Sequence, residues 1–540
     1  MSSAFTGTWL LVRLALRRDR WRLLAWISGV LLLVVTTYTA FEGLFPDAAA
    51  IEALSSSIGT NPAFAVLLGR AYDLTTAGGF TTWRAVGIAS LFLSLMAVFT
   101  VVRHTRAEED AGRTELVASG VVGRHAPLAA ATSVAIGACV AAGATAAAAL
   151  TAASARSGSV DLAGAVALGL ALATTGAVLA GVAAVAAQVG STARAASSLA
   201  GATLGAVYLL RGWSAASTGV EWAAWFSPFG WGEQIRPYVE NRWWVVALPV
   251  VTTLALLAVA HALQARRDVG AGLLAQRPGP VGAAPHLGGP FSLAWRLHRG
   301  PFLGWLVAFL LLGGLYGSFG ASVGDAFADN EYFQRALAVT GRGGESFTLG
   351  FLATVLSIMA TIATVHGIQG VLRGRTEEEE GRGEPVLATP VSRTAFFASH
   401  VLAGLAGSAT ILLVGTVVLA VVTLSTVPAG TVTFGQLLVA GLVQVPAMWV
   451  VVGVAVALFG LRPRTAHVAW AFLALTFVLT LLGPLLGLPD AVLNLAPFSH
   501  VPGYPLDPLR AVPLVALSLV AAALTTAGFV GFSRRDTDER

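Results

Sequence analysis

RTEEEEGRGEPVLATPVSR, Arg375–Arg393, sets four consecutive glutamates, Glu377–Glu380, between long apolar stretches. A run of like charge is ordinarily a solvated face. Laid on itself at a shift of 269 residues (106 onto 375), however, the chain repeats the motif without a gap as RAEEDAGRTELVASGVVGR, Arg106–Arg124. Arg106, Glu108, Glu109, Gly112, Arg113, Glu115, Val117, Val122 and Arg124 fall on Arg375, Glu377, Glu378, Gly381, Arg382, Glu384, Val386, Val391 and Arg393. The same shift lays Pro228 and Phe229 of WFSPFGW on Pro497 and Phe498 of LAPFSH. Near the start the shift is 279 (26 onto 305), pairing Trp26 with Trp305 and placing a length change in the first outer loop.

The 540 residues are 56% hydrophobic and only 11% charged, with a mean hydropathy of +0.76. A soluble domain carries about a quarter of its residues as charges, so this is a polytopic membrane protein. Apolar runs of the roughly 20 residues that cross a hydrocarbon core recur along the whole length. Such runs satisfy their backbone only as helices, and the short alternating strands of a β-barrel are absent. A first span runs over 23–38, and others centre near 92, 139, 175, 203, 253, 312, 358, 410, 446, 476 and 520, predicting twelve. They form two parallel six-helix repeats, 1–263 and 291–540, joined by a Pro/Gly-rich linker over 264–290.

All 33 basic residues are arginine. With the N-terminus in the cytoplasm, most of them, including the run Arg13, Arg17, Arg18, Arg20 and Arg22, fall in cytoplasmic segments, as the positive-inside rule requires. Both chain ends are then cytoplasmic, and WLLVRLALRRDRWR reads as an interfacial helix leading into a retained first span. Because there is no lysine, the chain cannot build a P-loop, and any nucleotide hydrolysis of that kind must come from another polypeptide. The pI of about 9.8 reflects arginines flanking apolar spans and not a nucleic-acid partner. Cys139, the single cysteine, excludes a disulfide framework and a thiolate metal site.

In this topology each acidic motif follows the cytoplasmic end of a second helix, where negative charge opposes the helix dipole at a cost of roughly a few tenths of a kcal/mol per residue. Repetition of that cost, with Gly112 and Gly381 in register as chain reversals, marks a docking surface for basic groups of a partner. The pattern Arg-x-Glu-Glu-x-x-Gly-x-x-Glu, followed by Ala388–Arg393, resembles the cytoplasmic elbow of ABC exporter permeases of the type-2 (type V fold) class. The duplicated length and SPFGWGEQIRPY, Ser227–Tyr238, resemble its fused two-half members, which export polyketide antibiotics and other drugs.

That resemblance implies a permease without a catalytic, cofactor or metal site of its own. Two copies of a separate ATP-binding subunit, holding ATP and Mg, would dock on Glu108, Glu109, Arg113 and Glu115 and on Glu377, Glu378, Arg382 and Glu384. Gly120, Val121 and Gly123 replace Thr389, Pro390 and Ser392 in the first copy, so the two elbows are expected to dock unequally. The resemblance also implies an outer re-entrant gate at Pro228, Phe229, Trp231, Pro497 and Phe498. It further implies that the second and fifth helices of each half face a central cavity. Phe92, Met96 and Phe99 share a helical face at i, i+4 and i+7, and Trp470, Phe477 and Leu481 share one at i, i+7 and i+11. Helix packing produces such stripes equally well; the lack of charge there suits hydrophobic or amphipathic compounds in contact with membrane lipid.

The rival is a proton-coupled secondary multidrug transporter, a class that also joins two six-helix halves by parallel repeat. It requires ionisable groups within spans, and here charges collect at span ends. A membrane scaffold without transport is a third alternative. His261, His366 and His467 lie near span ends with no spacing to a carboxylate that suggests a metal or a relay. The arginine asymmetry predicts that, once Cys139 is removed, a cysteine at Ser159 labels with an impermeant thiol reagent from outside the cell and one at Thr114 does not. Outside labelling at Thr114 would overturn the orientation.

Overall fold

A computed structural model describes residues 4–44, 51, 65–66, 68–155, 158–268, 270–274, 282, 284–328, 345–481 and 489–535. The described chain is helical without strands and divides into two compact units, Met1–Gly279 and Pro280–Arg540. The first contains α1 (Thr8–Leu44), α2 (Ala77–His104), the short α3 (Arg106–Asp110) and α4 (Arg113–Ala118), α5 (Ala126–Ala153), α6 (Leu162–Val189), α7 (Ala193–Ala216), α8 (Pro228–Gln234) and α9 (Ala247–Arg266). The second contains α10 (Pro290–Ala328), α11 (Glu345–Glu379), the short α12 (Gly383–Leu387), α13 (Arg393–Thr426), α14 (Phe434–Leu442), α15 (Val445–Leu461), α16 (Val468–Leu481) and α17 (Ala511–Arg534).

Among the described residues ten helical segments are long and apolar enough to cross a membrane, five in each unit, against the twelve that the hydropathy pattern predicts. The two that fall short are the spans expected near 203 and 476. In α7, Ser, Thr and Gly dilute the apolar character and Arg211 is wholly buried. Only 14 residues of α16 are described as helix, and 482–488 lie outside the described residues. The linker expected over 264–290 also begins later. Backbone bonds from Leu273 and Leu274 to the carbonyls of Gln188 and Val189 tie that part of the chain to the end of α6.

Side chains cap the long helices where the sequence offers an oxygen. Thr76, Asp161, Thr192 and Ser392 each accept a bond from a backbone N–H in the first turn, satisfying a donor that hydrocarbon cannot. Hydroxyls inside the helices turn back on their own backbone: Thr100 donates to the Met96 carbonyl at 2.7 Å and Thr364 to that of Ala360 at 2.9 Å.

Between helices, glycines take the place that leucines hold in soluble cores, because lipid is as apolar as leucine and only close approach adds dispersion energy. Gly143 of α5 and Gly169 of α6 face each other so tightly that a Cβ on either would strike the other's carbonyl; a Cβ on Gly460 of α15 would strike the carbonyl of Gly528 in α17, and one on Gly528 that of Val456 in α15. Gly143→Val and Gly460→Val are therefore expected to cost about 1–3 kcal/mol by overpacking, read as a lowered unfolding midpoint of the purified protein. Gly137→Val, one and a half turns away in α5 and facing open space, serves as the control. Equal losses at 137 and 143 would show that the helix contact is not the cause.

Candidate functional site

Both acidic motifs form an elbow between two long helices, and Gly112 and Gly381 each reverse the chain at φ +69°. In the first elbow, Arg113 grips Glu108 with two bonds, Nε to Oε2 at 2.6 Å and Nη2 to Oε1 at 3.1 Å. In the second, Arg382 grips Glu377 through the same atoms at 2.7 and 3.1 Å. These bonds hold both guanidinium groups above the usual arginine range.

The second glutamate of each pair turns inward, to the end of the last helix of its own unit. Arg267 donates to Glu109 at 2.6 and 2.9 Å, and Arg535 donates to Glu378 at 2.6 Å. Arg124 caps the Gln264 and Arg267 carbonyls at 2.9 and 3.0 Å, and Arg393 caps the Arg535 carbonyl at 3.0 Å. Of the glutamates expected to dock a partner, Glu109 and Glu378 pair with arginines at the end of the last helix of their own unit, and Glu108 and Glu377 pair with Arg113 and Arg382. Glu115 and Glu384, one turn further on, remain exposed.

The elbows also differ. Ser392 caps α13, whereas at the corresponding place in the first elbow Gly123 and His125 donate backbone bonds to the carbonyls of Thr6 and Ala4 at 2.9 Å. Glu108 takes its second cation from Arg18 of α1 at 2.9 Å, whereas Glu377 takes its own from Arg373, one turn back in the same helix, at 2.6 Å.

In the first unit, the stretch Ser227–Tyr238 is wedged among helices. Pro228 and Phe229 are buried, Trp231 is half-buried and donates to the Trp225 carbonyl at 2.6 Å, and Ser227 donates to that of Val207 at 2.7 Å. Arg211 of α7, with no exposed surface, pairs with Glu233 of α8. Arg236, Tyr238 and Asn241 all have positive φ, of 51°, 64° and 46°, a conformation that costs non-glycine residues about 1 kcal/mol or more each. That strain aims the Tyr238 ring at Gly78 and Gly164, where an added Cβ would collide with it. In the second unit Pro497 and Phe498 are likewise buried, in a single 3-10 turn. The shift of 269 carries Arg211 and Glu233 onto Thr480 and Pro502, so the buried ion pair has no counterpart there.

The two aromatic stripes separate by depth. Phe92 and Phe99 are 43% and 53% exposed while Met96 is buried, and all three follow α2, with Phe99 and Met96 beside a cavity of about 360 Å³. Phe477 is exposed, Trp470 is half-buried, and the Leu481 side chain lies outside the described residues.

The sequence pattern described as "Multidrug efflux system permease Rv1217c, C-terminal domain" matches residues 11–265 and 287–533. The multidrug efflux system permease protein Rv1217c of Mycobacterium tuberculosis is 41% identical over 535 residues, covering 99% of this chain and 96% of that one. The chain belongs to the Rv1217c permease family. This permease is a multi-pass membrane protein with ten apolar helices among its described residues.

Several of its arginines and histidines act as fasteners that hydropathy and repeat spacing leave unmarked. Asp19 is buried under Arg22, Arg103 and His104, and His298 shares a hydrogen bond of 3.1 Å with His400. His261 packs on the rings of Phe5 and His125, His366 is buried beside Phe302, and His467 accepts from Arg375 at 3.0 Å. Among the described residues no group of three His, Cys, Asp or Glu side chains could hold a metal ion.

The fastening of the elbow predicts that Arg267→Ala, which leaves Glu109 with less than its full complement of cations, lowers stability by up to about 3 kcal/mol. The double variant Glu109→Gln/Arg267→Ala should recover part of that loss in a double-mutant cycle of denaturant unfolding with Glu109→Gln as the other single variant. Strict additivity would show that the two side chains are not coupled.

Proposed function

We propose that the permease is the membrane component of an ATP-driven ABC exporter of the type-2 class, carrying hydrophobic or amphipathic compounds outward. Two copies of a separate ATP-binding subunit would supply ATP, Mg and hydrolysis. The observation that carries this reading is the elbow: the same reversal and the same guanidinium–carboxylate grip stand behind the second helix of each unit. The absence of lysine, and so of a P-loop, supports a separate source of hydrolysis. Counting α7 and α16 as spans gives twelve, in two parallel six-helix halves, with both chain ends and both elbows in the cytoplasm. The relative from M. tuberculosis, a multidrug efflux permease by name, supports drug-like cargo.

In this mechanism the exposed turn bearing Glu115 or Glu384 meets basic groups of the ATPase. The inner pairs carry the push onward: Glu109 to Arg267 at the end of α9, and Glu378 to Arg535 at the end of α17. A displacement of the elbow then moves the last helix of the unit with it, because the joint is charge-assisted and partly buried in both units and bidentate in the first. At the opposite end, the buried phenylalanines 229 and 498 close the exit, and Phe92, Phe99, Trp470 and Phe477 offer apolar surface to cargo.

Glu115→Arg together with Glu384→Arg is the test, since both positions are exposed and reversal there leaves the inner pairs intact. Expected are normal membrane abundance, loss of co-purification with the ATPase and a drop in export of about tenfold or more, the effect of losing one or two charge-assisted contacts. Export that continues without any ATPase, driven by a pH gradient, would establish the proton-coupled reading instead.

A further inference from the structure

The cavity of about 360 Å³ in the first unit lies between α1, α2, α3 and α7. Its apolar wall is made by Trp26, Met96 and Phe99, and its mouth by Arg22, Arg103 and the buried Asp19. Among all its lining residues the ionisable groups are these two arginines and one aspartate, so the mouth carries a net positive charge. Asp19 is saturated: its Oδ1 accepts from Arg22 at 3.0 Å and from Arg103 at 2.9 Å, and its Oδ2 lies 2.7 Å from His104 Nε2. Each guanidinium has five N–H donors and uses one of them on Asp19. The side chains of Arg22 and Arg103 are 62% and 37% exposed, so donors remain for a ligand. Sequence places this mouth where the basic interfacial segment gives way to the first apolar span, at Arg22 and Leu23.

We infer that this cavity binds amphiphiles with an acidic head, the head on Arg22 and Arg103 and the apolar body against Trp26, Met96 and Phe99. A planar guanidinium pairs two-pronged with a carboxylate or phosphate oxygen pair, which a neutral head cannot match. The volume suits part of one drug-sized or acyl-chain molecule. The scaffold alone does not demand the arrangement. At the corresponding positions of the second unit stand His298, Pro301 and Leu372, and there His298 shares a hydrogen bond with His400. The acidic head belongs either to a transported amphiphile or to a resident anionic lipid of the inner leaflet. Binding is independent of the exporter reading, and only the transport arm rests on it.

The probes are 11-(dansylamino)undecanoic acid and its methyl ester at pH 8, bound to the full-length permease in zwitterionic nanodiscs and followed by dansyl fluorescence. The acid should bind about tenfold tighter than the ester, the worth of a charge-assisted hydrogen bond. Arg22→Gln, at a largely exposed position that folding tolerates, should shrink the preference to within about threefold, and Arg103→Lys should leave an intermediate value. Phe99→Ala should weaken acid and ester alike. Equal affinities in the unaltered protein, no binding of either probe, or a preference that Arg22→Gln does not change would each overturn the inference. With the ATPase in proteoliposomes, ATP-dependent flux of the acid identifies transported cargo. Displacement of the acid by phosphatidylglycerol, without flux, identifies a resident lipid. An acid preference that survives while ATP drives no flux of the probes or of any other hydrophobic compound tried would remove the exporter reading and leave the binding site standing.

Discussion

A guanidinium set on a carboxylate, Arg267 on Glu109 and Arg535 on Glu378, ties the end of the last helix of each unit to the turn that follows its second. Both partners lie where apolar helix gives way to polar chain, so neither can find full hydration and neither can be left alone without the penalty of an unpaired charge. The pair fixes how the elbow leaves its helix, and the elbow fixes which glutamates remain for a partner. An outward-facing acidic patch would be soft and screened by salt. One anchored from behind by a partly buried pair is held more rigidly, as the proposed coupling to an ATPase requires.

Within the apolar layer, different physics holds each unit together. Hydrophobic burial gives no preference for helix over lipid, so association relies on close approach, and the contacts of Gly143 with Gly169 and of Gly460 with Gly528 provide it. The two contacts join different helix pairs, α5 with α6 in the first unit and α15 with α17 in the second. Sequence duplication therefore does not impose identical packing: where one unit has the alanine-rich α5, the other has α13 with its bulkier Val and Leu side chains.

Among the described residues, non-glycine positions with positive φ are confined to one place. Three residues with positive φ between Arg236 and Asn241 hold Tyr238 against Gly78 and Gly164, and the Arg211–Glu233 pair pins α8 beneath them. The ion pair belongs to the first unit: Thr480 and Pro502 stand at the corresponding positions of the second.

Sequence by itself determined the membrane class, the helical character, the repeated elbow with its reversing glycines and the exclusion of a P-loop, because each depends on local composition or on spacing along the chain. Runs of apolar residues and an ungapped repeat survive any tertiary arrangement. Tertiary structure alone decided which glutamates face outward. Glu109 and Glu115 are alike in sequence, and only the arrival of Arg267 from 158 residues away assigns the first to the interior. The same holds for the cavity stripe, where Met96 is buried and Phe92 and Phe99 are not: helical spacing gives a face, but the neighbouring helix decides how much of that face it covers. Asp19, Arg211 and Tyr238 stayed illegible for one reason. Each acts through a partner far along the chain, and no periodicity or local motif encodes a contact made only when helices pack.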